Sequence, residues 1–203
     1  MKLVILDRDG TINEDRDDYV KSPEEWVPVP GSLEAIARLN HAGWHTVIAT
    51  NQSGLARGLF DMAALNAIHE RMNRELAMFG GRIDAVFFCP HGPAEGCKCR
   101  KPLPGLFTMI GERYGIDLSE SYVVGDTLAD LQAGAAVGCA THLVRSGKGA
   151  RLDAAALARV ATELPNAVVH ADLAAFAHEL VQRERHARGE PDEAGSSFAK
   201  LDE

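Results

Sequence analysis

The sequence predicts an α/β fold in which a Rossmann-like parallel sheet is flanked by helices. Short apolar segments alternate with longer amphipathic segments along the chain, which is the order expected of βα units. The apolar segments are apolar at almost every position, as expected for strands that helices cover on both faces. Several of them run directly into acidic or hydroxyl-bearing residues, at the strand ends where open α/β sheets collect their ligands.

This alternation defines five strands and six helices. The strands are expected at residues 2–6, 44–49, 85–88, 122–124 and 140–144. The helices are expected at residues 32–41, 61–79, 105–113, 128–136, 153–164 and 173–185. Ser32 and Asp61 fit the N-cap positions of the first two helices, and Gly43 and Gly80 fit the positions where these helices end.

Two long irregular segments, residues 8–30 and 90–104, interrupt the pattern. Long loops in compact domains are usually functional, so both are candidates for shaping a binding pocket. The segment from residue 186 to residue 203 is polar, lacks periodicity and contains two basic and five acidic residues. We therefore expect a single domain over residues 1–185 and a disordered tail over residues 186–203.

The composition excludes several classes of protein. The chain has 203 residues, of which 46% are hydrophobic and 25% charged, and these values are typical of a globular protein. A formal charge of −8 argues against a basic nucleic-acid-binding face. No apolar segment approaches the roughly 20 residues of a membrane helix, and the N-terminal apolar segment is too short for a signal peptide. We expect a cytoplasmic monomer that acts without nucleic acid or membrane.

An acidic pair follows the first predicted strand in the segment Asp7-Arg8-Asp9-Gly10-Thr11. A turn is the simpler interpretation of so short a motif, since Asp and Gly are common turn residues. The alternative is phosphoryl transfer, in which Asp7 attacks phosphorus and Asp9 moves the protons. An anionic nucleophile that attacks an anionic phosphate needs a cation, and Mg²⁺ is a hard ion that prefers oxygen ligands.

The ends of the other predicted strands favour the second interpretation. Thr50 ends the second strand and offers a hydroxyl to a phosphate oxygen. Arg100 and Lys101 are adjacent cations that suit phosphate charge. Asp126 follows the fourth strand, with Asp130 four residues later, and Asp126 completes an oxygen site for Mg²⁺. Four independent motifs in one order are difficult to explain by chance.

On these residues the chain resembles the haloacid dehalogenase superfamily of phosphotransfer enzymes over most of residues 2–147. The resemblance implies that Asp7 is the nucleophile and that Asp9 is the general acid and base. It also implies that Thr50 and Lys101 orient and neutralise the phosphoryl group. An acid at Asp9 is typical of the phosphatases of this superfamily, whereas its dehalogenases lack an acid there.

The same resemblance implies a magnesium site. Asp7, the backbone carbonyl of Asp9 and Asp126 would bind Mg²⁺, and Asp130 would support the site from behind. Neither the segment between Asp7 and Thr50 nor the segment between Thr50 and Lys101 has room for a separate lid domain. A lid-less fold of the haloacid dehalogenase type is therefore expected.

The second irregular segment contains a candidate zinc site formed by Cys89, His91, Cys97 and Cys99. Three thiols and an imidazole at short spacing suit a closed tetrahedral Zn²⁺ site, which would be structural because no coordination position stays open. Reduced cysteines in a flexible loop and a disulfide are the alternatives. Cys139 precedes an apolar strand and is better explained as a buried apolar residue.

A zinc loop of the Cys-x-His…Cys-x-Cys type resembles the superfamily branch that holds the lid-less heptose bisphosphate phosphatases and histidinol-phosphate phosphatases. The segments 50–54 and 99–102 look most like the former, which act in the synthesis of a lipopolysaccharide precursor. The resemblance implies that the substrate, a small phosphorylated sugar, is bound by Thr50, Lys101, Arg100, Asn51, Gln52, Ser53, Asp15 and Tyr19.

A bisphosphate substrate gives Arg100 a physical role. One phosphate would lie against Mg²⁺, Thr50 and Lys101, and the other needs a cation of its own, for which a guanidinium is well suited. A positive mouth at Arg57, Arg100 and Lys101 would offset the net negative charge of the chain. The alternatives are a histidinol-phosphate or other small sugar-phosphate phosphatase and, from another class, a zinc-stabilised interaction module. The segment 145–149 is expected to be a plain loop after the last core strand.

Overall fold

The apolar segments of the sequence form one parallel sheet in a computed structural model that describes residues 1–189. The strands are β1 (Leu3–Leu6), β2 (His45–Asn51), β3 (Ala85–Cys89), β4 (Tyr122–Gly125), β5 (Ala140–Val144) and β6 (Val168–His170). They lie in the order β3-β2-β1-β4-β5-β6, and every neighbouring pair is parallel. The predicted α/β class with a parallel sheet and flanking helices is confirmed.

Residues 1–189 also form six α-helices and three short 3₁₀ helices. The α-helices are α1 (Ser32–His41), α2 (Met62–Met78), α3 (Gly105–Tyr114), α4 (Leu128–Ala135), α5 (Ala154–Glu163) and α6 (Leu173–Ala187). The 3₁₀ helices are Pro23–Glu25, Leu118–Glu120 and Gly147–Arg151. Within residues 1–189, no helix combines the length and the apolarity that crossing a bilayer requires.

Alternation along β1 divides the core into two layers. Val4 and Leu6 pack with α1, α2 and α6 on one face of the sheet, whereas Leu3 and Ile5 pack with α3 and α4 on the other. Helix α5 covers the second face near Leu143. Because both faces of β1 are fully buried, this strand is fixed at the centre of the molecule and its end is a rigid platform.

The register of the sheet brings the polar strand ends together. Leu6 at the end of β1 lies opposite Ile48 of β2 and Val124 of β4. The next residue, Asp7, continues the ladder by donating its backbone N–H to the carbonyl of Val124 at 2.9 Å. The residues that follow β1, β2 and β4 therefore meet at one edge of the sheet, as the strand ends predicted.

The two predicted N-caps differ in outcome. Asp61 caps α2 as expected, because its carboxylate accepts the N–H of Ala64 at 2.8 Å. Ser32 does not cap α1: Gly31 is the N-cap, and the Ser32 hydroxyl donates to the carbonyl of Ile12 at 2.6 Å. Gly31 has a φ of 79°, a left-handed conformation that favours glycine. The turn that leads into α1 therefore depends on Gly31 and not on Ser32.

The sequence did not predict β6. This strand has three residues, and Val168 and Val169 remain substantially exposed, so it shows neither the length nor the burial pattern of the others. Because β6 pairs with β5, the segment 145–149 lies between two strands of the sheet and not after the last one. Helix α6 ends at Ala187, two residues later than expected. Residues 190–203, the larger part of the predicted tail, lie outside the described residues.

Candidate active site

A cavity of about 430 Å³ opens at the carboxyl ends of β1, β2 and β4. The structure brings together in its lining every residue that the sequence assigned to phosphate, sugar or Mg²⁺: Asp7, Asp9, Asp15, Tyr19, Thr50, Asn51, Gln52, Ser53, Arg100, Lys101, Asp126 and Asp130. Arg57 does not line it, and its guanidinium instead lies 5.8 Å from the ring centre of Tyr19. The expected positive mouth therefore does not include Arg57.

A buried carboxylate cluster forms the floor of this cavity. Oxygen atoms of Asp7, Asp126 and Asp130 lie within 4.8 Å of one another. Burial, and then the neighbouring carboxylates, raises the pKa of Asp126 to about 8. Burial raises the pKa of Asp7 to about 7, against the opposing effect of Lys101. A cluster of oxygen atoms that repel one another in a buried position is the donor set that a hard divalent cation stabilises.

Lys101 provides one cation for this cluster. Its ammonium donates to Asp7 at 2.8 Å and to the backbone carbonyl of Ala49 at 2.6 Å, and it lies 2.6 Å from Asp130. Burial alone would lower the pKa of Lys101, but the carboxylates of Asp130 and Asp7 raise it above its usual value. Lys101 is therefore charged, and the cluster still holds more carboxylates than cations.

Asp130 is held by the start of α4. Its Oδ2 accepts the backbone N–H of Thr127 at 3.0 Å and the Thr127 hydroxyl at 2.6 Å, which completes a capping box at the helix N-terminus. The capping box fixes the turn that carries Asp126 into the cavity. Gly10 faces this turn with a φ of 84°, and a Cβ at that position would lie 2.1 Å from Asp126 Oδ2.

The carboxylate of Asp9 pairs with a buried arginine, Arg8, that was not assigned to the site from the sequence. Arg8 is 1% exposed and donates to both carboxylate oxygens of Asp9, at 2.9 and 3.0 Å. Asn13 and Gln52 donate to the same carboxylate, at 3.0 and 2.9 Å. Burial would raise the pKa of Asp9, but Arg8 and these hydrogen bonds lower it below its usual value. In the sequence, Arg8 follows an apolar strand and stands between two aspartates. That position was the one sign that its side chain is buried.

The residues at the end of β2 hold neighbouring groups in place as well as line the cavity. The Gln52 amide donates to Thr50 Oγ1 at 2.9 Å, so the Thr50 hydroxyl proton is available to another acceptor. The Asn51 side chain donates to the carbonyl of Lys101 and accepts its N–H, both at 3.1 Å. This pair of hydrogen bonds fixes the backbone of Lys101 against the end of β2.

The predicted zinc ligands form a second cluster at the end of β3. One Sγ or imidazole nitrogen atom from each of Cys89, His91, Cys97 and Cys99 lies within 4.8 Å of the others. Individual separations are 3.3 to 3.6 Å, close to the roughly 3.8 Å between ligands of a tetrahedral zinc–thiolate site. All four cysteines of the chain are free thiols, so the disulfide alternative is wrong. Cys139 is buried in the core, as expected.

The zinc-type cluster positions Arg100. The guanidinium of Arg100, one residue after Cys99, donates to the carbonyl of His91 at 3.3 Å. The loop therefore directs a cation toward the cavity from the β3 side of the sheet. Six further residues line the cavity without having been assigned to the site from the sequence: Arg16, Asp17, Val20, Thr127, Ala129 and Lys148. Lys148 lies in the segment 145–149, for which no functional signal was found.

Comparison with known proteins agrees with this geometry. A family model described as HAD-hydrolase-like matches residues 98–175. The chain is 57% identical over 183 residues to D-glycero-beta-D-manno-heptose-1,7-bisphosphate 7-phosphatase of Bordetella bronchiseptica, an alignment that covers 90% of this chain and 99% of that protein. It is 50% identical over 181 residues to the protein of the same name from Pseudomonas aeruginosa, covering 89% and 98% of the two chains.

A solved structure gives the same result. The crystal structure of D,D-heptose 1,7-bisphosphate phosphatase from B. bronchiseptica, complexed with magnesium and phosphate, superposes with a TM-score of 0.84 at 57% identity. The match covers 90% of this chain and 99% of that one. The chain is therefore a phosphatase of the haloacid dehalogenase-like family, to which these heptose bisphosphate phosphatases also belong.

Proposed function

We propose that this protein is a Mg²⁺-dependent phosphatase that removes the 7-phosphate of D-glycero-D-manno-heptose 1,7-bisphosphate. The observation that carries the proposal is the position of Asp7. Its carboxylate lies beside Lys101, Asp126 and Asp130 on the floor of a cavity that also holds Arg100. The identity of 57% to a phosphatase named for this substrate supports the choice of sugar.

The first step transfers the phosphoryl group to the protein. An oxygen of the Asp7 carboxylate attacks phosphorus, the bond between phosphorus and the sugar oxygen breaks, and Asp9 gives its proton to that oxygen. Lys101 and the Thr50 hydroxyl hold the phosphoryl oxygens during the attack. A bound phosphate places negative charge beside Asp9, which raises the pKa of that carboxyl and allows it to carry the proton.

The second step releases inorganic phosphate. Asp9 takes a proton from a water molecule, the water oxygen attacks phosphorus, and the bond to Asp7 breaks so that its carboxylate is regenerated. The hydrogen bonds from Arg8, Asn13 and Gln52 favour the ionised form of Asp9 that this step needs. An aspartyl-phosphate intermediate on Asp7 therefore links the two steps.

The carboxylate cluster fits the expected metal ion. Asp7 and Asp126 would hold Mg²⁺ together with the backbone carbonyl of Asp9, while Asp130 stays engaged with Lys101 and Thr127. When bound, Mg²⁺ supplies positive charge that lets two anions approach each other and screens charge developing on the phosphoryl oxygens. A magnesium ion is named in the complex of the B. bronchiseptica relative.

The zinc-type cluster has a structural role in this proposal. Four protein ligands leave no open coordination position, so a Zn²⁺ ion bound by Cys89, His91, Cys97 and Cys99 would fix the loop rather than act on substrate. The fixed loop holds Arg100 at the cavity, where its guanidinium is available to an anionic substrate. Because free thiols persist in reducing compartments, the site is consistent with the cytoplasm, where we place the enzyme as a monomer.

A panel of substrates tests the proposal. Purified protein with Mg²⁺ is assayed for kcat/KM on the heptose 1,7-bisphosphate, on the heptose 7-phosphate and on histidinol phosphate. We expect the bisphosphate to be preferred over both monophosphates. A preference for histidinol phosphate would replace the substrate but not the chemistry, whereas no hydrolysis of any of the three would favour the interaction-module alternative.

A further inference from the structure

The segment after β5 folds over the metal-binding side of the cavity. The Ser146 hydroxyl donates to the carbonyl of Gly10 at 2.6 Å, and the backbone N–H of Lys148 donates to Asp126 Oδ2 at 2.7 Å. Gly147 has a φ of 53°, and a Cβ there would lie 2.3 Å from Gly10 Cα. The backbone of Lys148 is therefore held against the carboxylate cluster, although its side chain is free to extend.

The Lys148 side chain extends to the mouth of the cavity and reaches Asp15. Its ammonium lies 3.4 Å from Asp15 Oδ1, with 57% of the lysine side chain exposed and only 7% of the aspartate side chain exposed. The second oxygen of Asp15, Oδ2, is buried and accepts no hydrogen bond from any described residue. A buried carboxylate with one long ion pair and an unused acceptor is poorly satisfied, as expected of a group that waits for a ligand.

Two of the other cations of the cavity are already engaged with carboxylates. Among the described residues, Arg16, Arg100, Lys101 and Lys148 are the basic side chains in its lining. Lys101 is buried between Asp7 and Asp130, and Arg16 pairs with Asp18 at 3.1 Å. Arg100 and Lys148 remain available to an anion at the mouth. Lys148 would exchange its long ion pair with Asp15 for a contact with that anion.

These two cations approach the nucleophile from opposite sides. Asp7 follows β1, Arg100 follows the loop after β3, and Lys148 follows β5, while β1 lies between β3 and β5 in the sheet. A sugar whose 7-phosphate lies at Asp7 can therefore direct its other phosphate toward one side or the other. Lys148 is on the side of the metal ligand Asp126, and its position there is fixed by its own backbone hydrogen bond.

We propose that Lys148 is a specificity-determining residue that binds the non-transferred phosphate of the substrate, leaving Asp15 free to accept hydrogen bonds from sugar hydroxyls. The inference rests on the proposed function, since it assumes a bisphosphate substrate. In the free enzyme Asp15 holds Lys148 at the mouth of the cavity. When substrate binds, the phosphate dianion replaces Asp15 as the partner of Lys148. Lysine binds phosphate as a point charge, so Lys148→Arg should retain most of the effect.

The test compares the heptose 1,7-bisphosphate with the heptose 7-phosphate, which lacks the second phosphate. Relative to the unmodified protein, we expect Lys148→Met to lower kcat/KM at least about tenfold on the bisphosphate and less than about threefold on the monophosphate. Lys148→Arg should restore the preference. Arg151→Met is the matched control, because Arg151 lies in the same segment, pairs with the exposed Asp17 at 3.2 Å and does not line the cavity.

A binding measurement separates recognition from turnover. In an Asp7→Asn background, calorimetry should show that Lys148→Met weakens bisphosphate binding at least about tenfold and leaves heptose 7-phosphate binding nearly unchanged. If the unmodified enzyme does not prefer the bisphosphate, the proposed function and this inference are both wrong. If it does and Lys148→Met keeps the full preference, or loses activity equally on both sugars, only the role of Lys148 is overturned.

Discussion

The Lys101 ammonium lies 2.8 Å from the Asp7 carboxylate, although 94 positions separate the two residues in the chain. Both side chains are buried, and the contact joins the end of the central strand β1 to the loop that leads into α3. A buried ion pair of this kind is costly to break, because the partner that remains keeps its charge away from water. Removing either partner is therefore expected to destabilise the fold.

Lys101→Met should abolish measurable phosphatase activity and lower the free energy of unfolding in Mg²⁺-free buffer by about 3 kcal/mol. Asp7 then lacks its cation, and burial favours its protonated form. Because the folded state binds the extra proton, the destabilisation should grow as pH rises from 6 to 8. Urea denaturation followed by circular dichroism measures it.

The control for Lys101→Met is Arg183→Met. Arg183 pairs with Glu179 at 2.8 Å on the exposed surface of α6, and such pairs contribute about 0.5 kcal/mol or less. Equal losses of stability in the two variants would show that the Asp7–Lys101 pair has no special energetic role.

Asp7→Asn should reduce turnover by a factor on the order of 10⁴ or more, because the amide cannot form the acyl phosphate. The asparagine oxygen still accepts the hydrogen bond from Lys101, and one negative charge leaves the repulsive cluster with Asp126. The melting temperature in Mg²⁺-free buffer should therefore stay equal or rise. Activity within tenfold of the unmodified protein would refute the nucleophilic role of Asp7.

Removal of zinc should loosen residues 89–99 and lower activity without changing the affinity for Mg²⁺ directly. The cluster of Cys89, His91, Cys97 and Cys99 packs at the edge strand β3, outside the carboxylate cluster. Hydrogen exchange with and without a zinc-selective chelator, with Mg²⁺ restored, measures the loosening, and Cys97→Ser provides a genetic equivalent. Full activity of the zinc-depleted protein would disprove the role of the loop in placing Arg100.

A buried histidine pair should make the fold sensitive to acid. His142 Nδ1 lies 2.8 Å from His170 Nε2, and burial, followed by the effect of His170, lowers the pKa of His142 to about 3. In the unfolded chain the His142 side chain takes up a proton near pH 6.5, whereas in the folded state it stays neutral. Stability therefore falls as pH falls below about 6.5.

His142→Asn keeps an amide near the position of Nδ1 but removes the titration. Between pH 7 and pH 5 the unmodified protein should lose about 2 kcal/mol more unfolding free energy than this variant. Parallel curves of unfolding free energy against pH for the two proteins would contradict this account.

The sequence predicted the fold and the members of the site because both depend on local patterns. Apolar strands are recognisable from composition, and a parallel sheet places their polar ends at one edge, so Asp7, Thr50 and Asp126 had to meet. The members of the cluster Cys89, His91, Cys97 and Cys99 were recognisable from their spacing alone. In contrast, β6 is short and half exposed, and nothing in its sequence distinguishes it from a loop.

Contacts between distant segments could not be predicted. Arg8 has the composition of a surface residue, and only the structure shows that it is buried against Asp9, Gln52 and His69. Ser32 has the side chain of an N-cap, but a glycine turn before it and the carbonyl of Ile12 determine its position. Lys148 reaches the site through the tight packing of Gly147 on Gly10, which no periodicity encodes.

The measurement that tests the central claim most directly is ³¹P nuclear magnetic resonance of the heptose 1,7-bisphosphate during turnover with Mg²⁺. In the proposed mechanism Asp7 attacks the 7-phosphate at the floor of the cavity, while a cation at the mouth binds the other phosphate. The C7 signal should therefore disappear first. Heptose 1-phosphate and inorganic phosphate should then accumulate in equal amounts. Loss of the C1 signal, or simultaneous loss of both signals, would contradict the account.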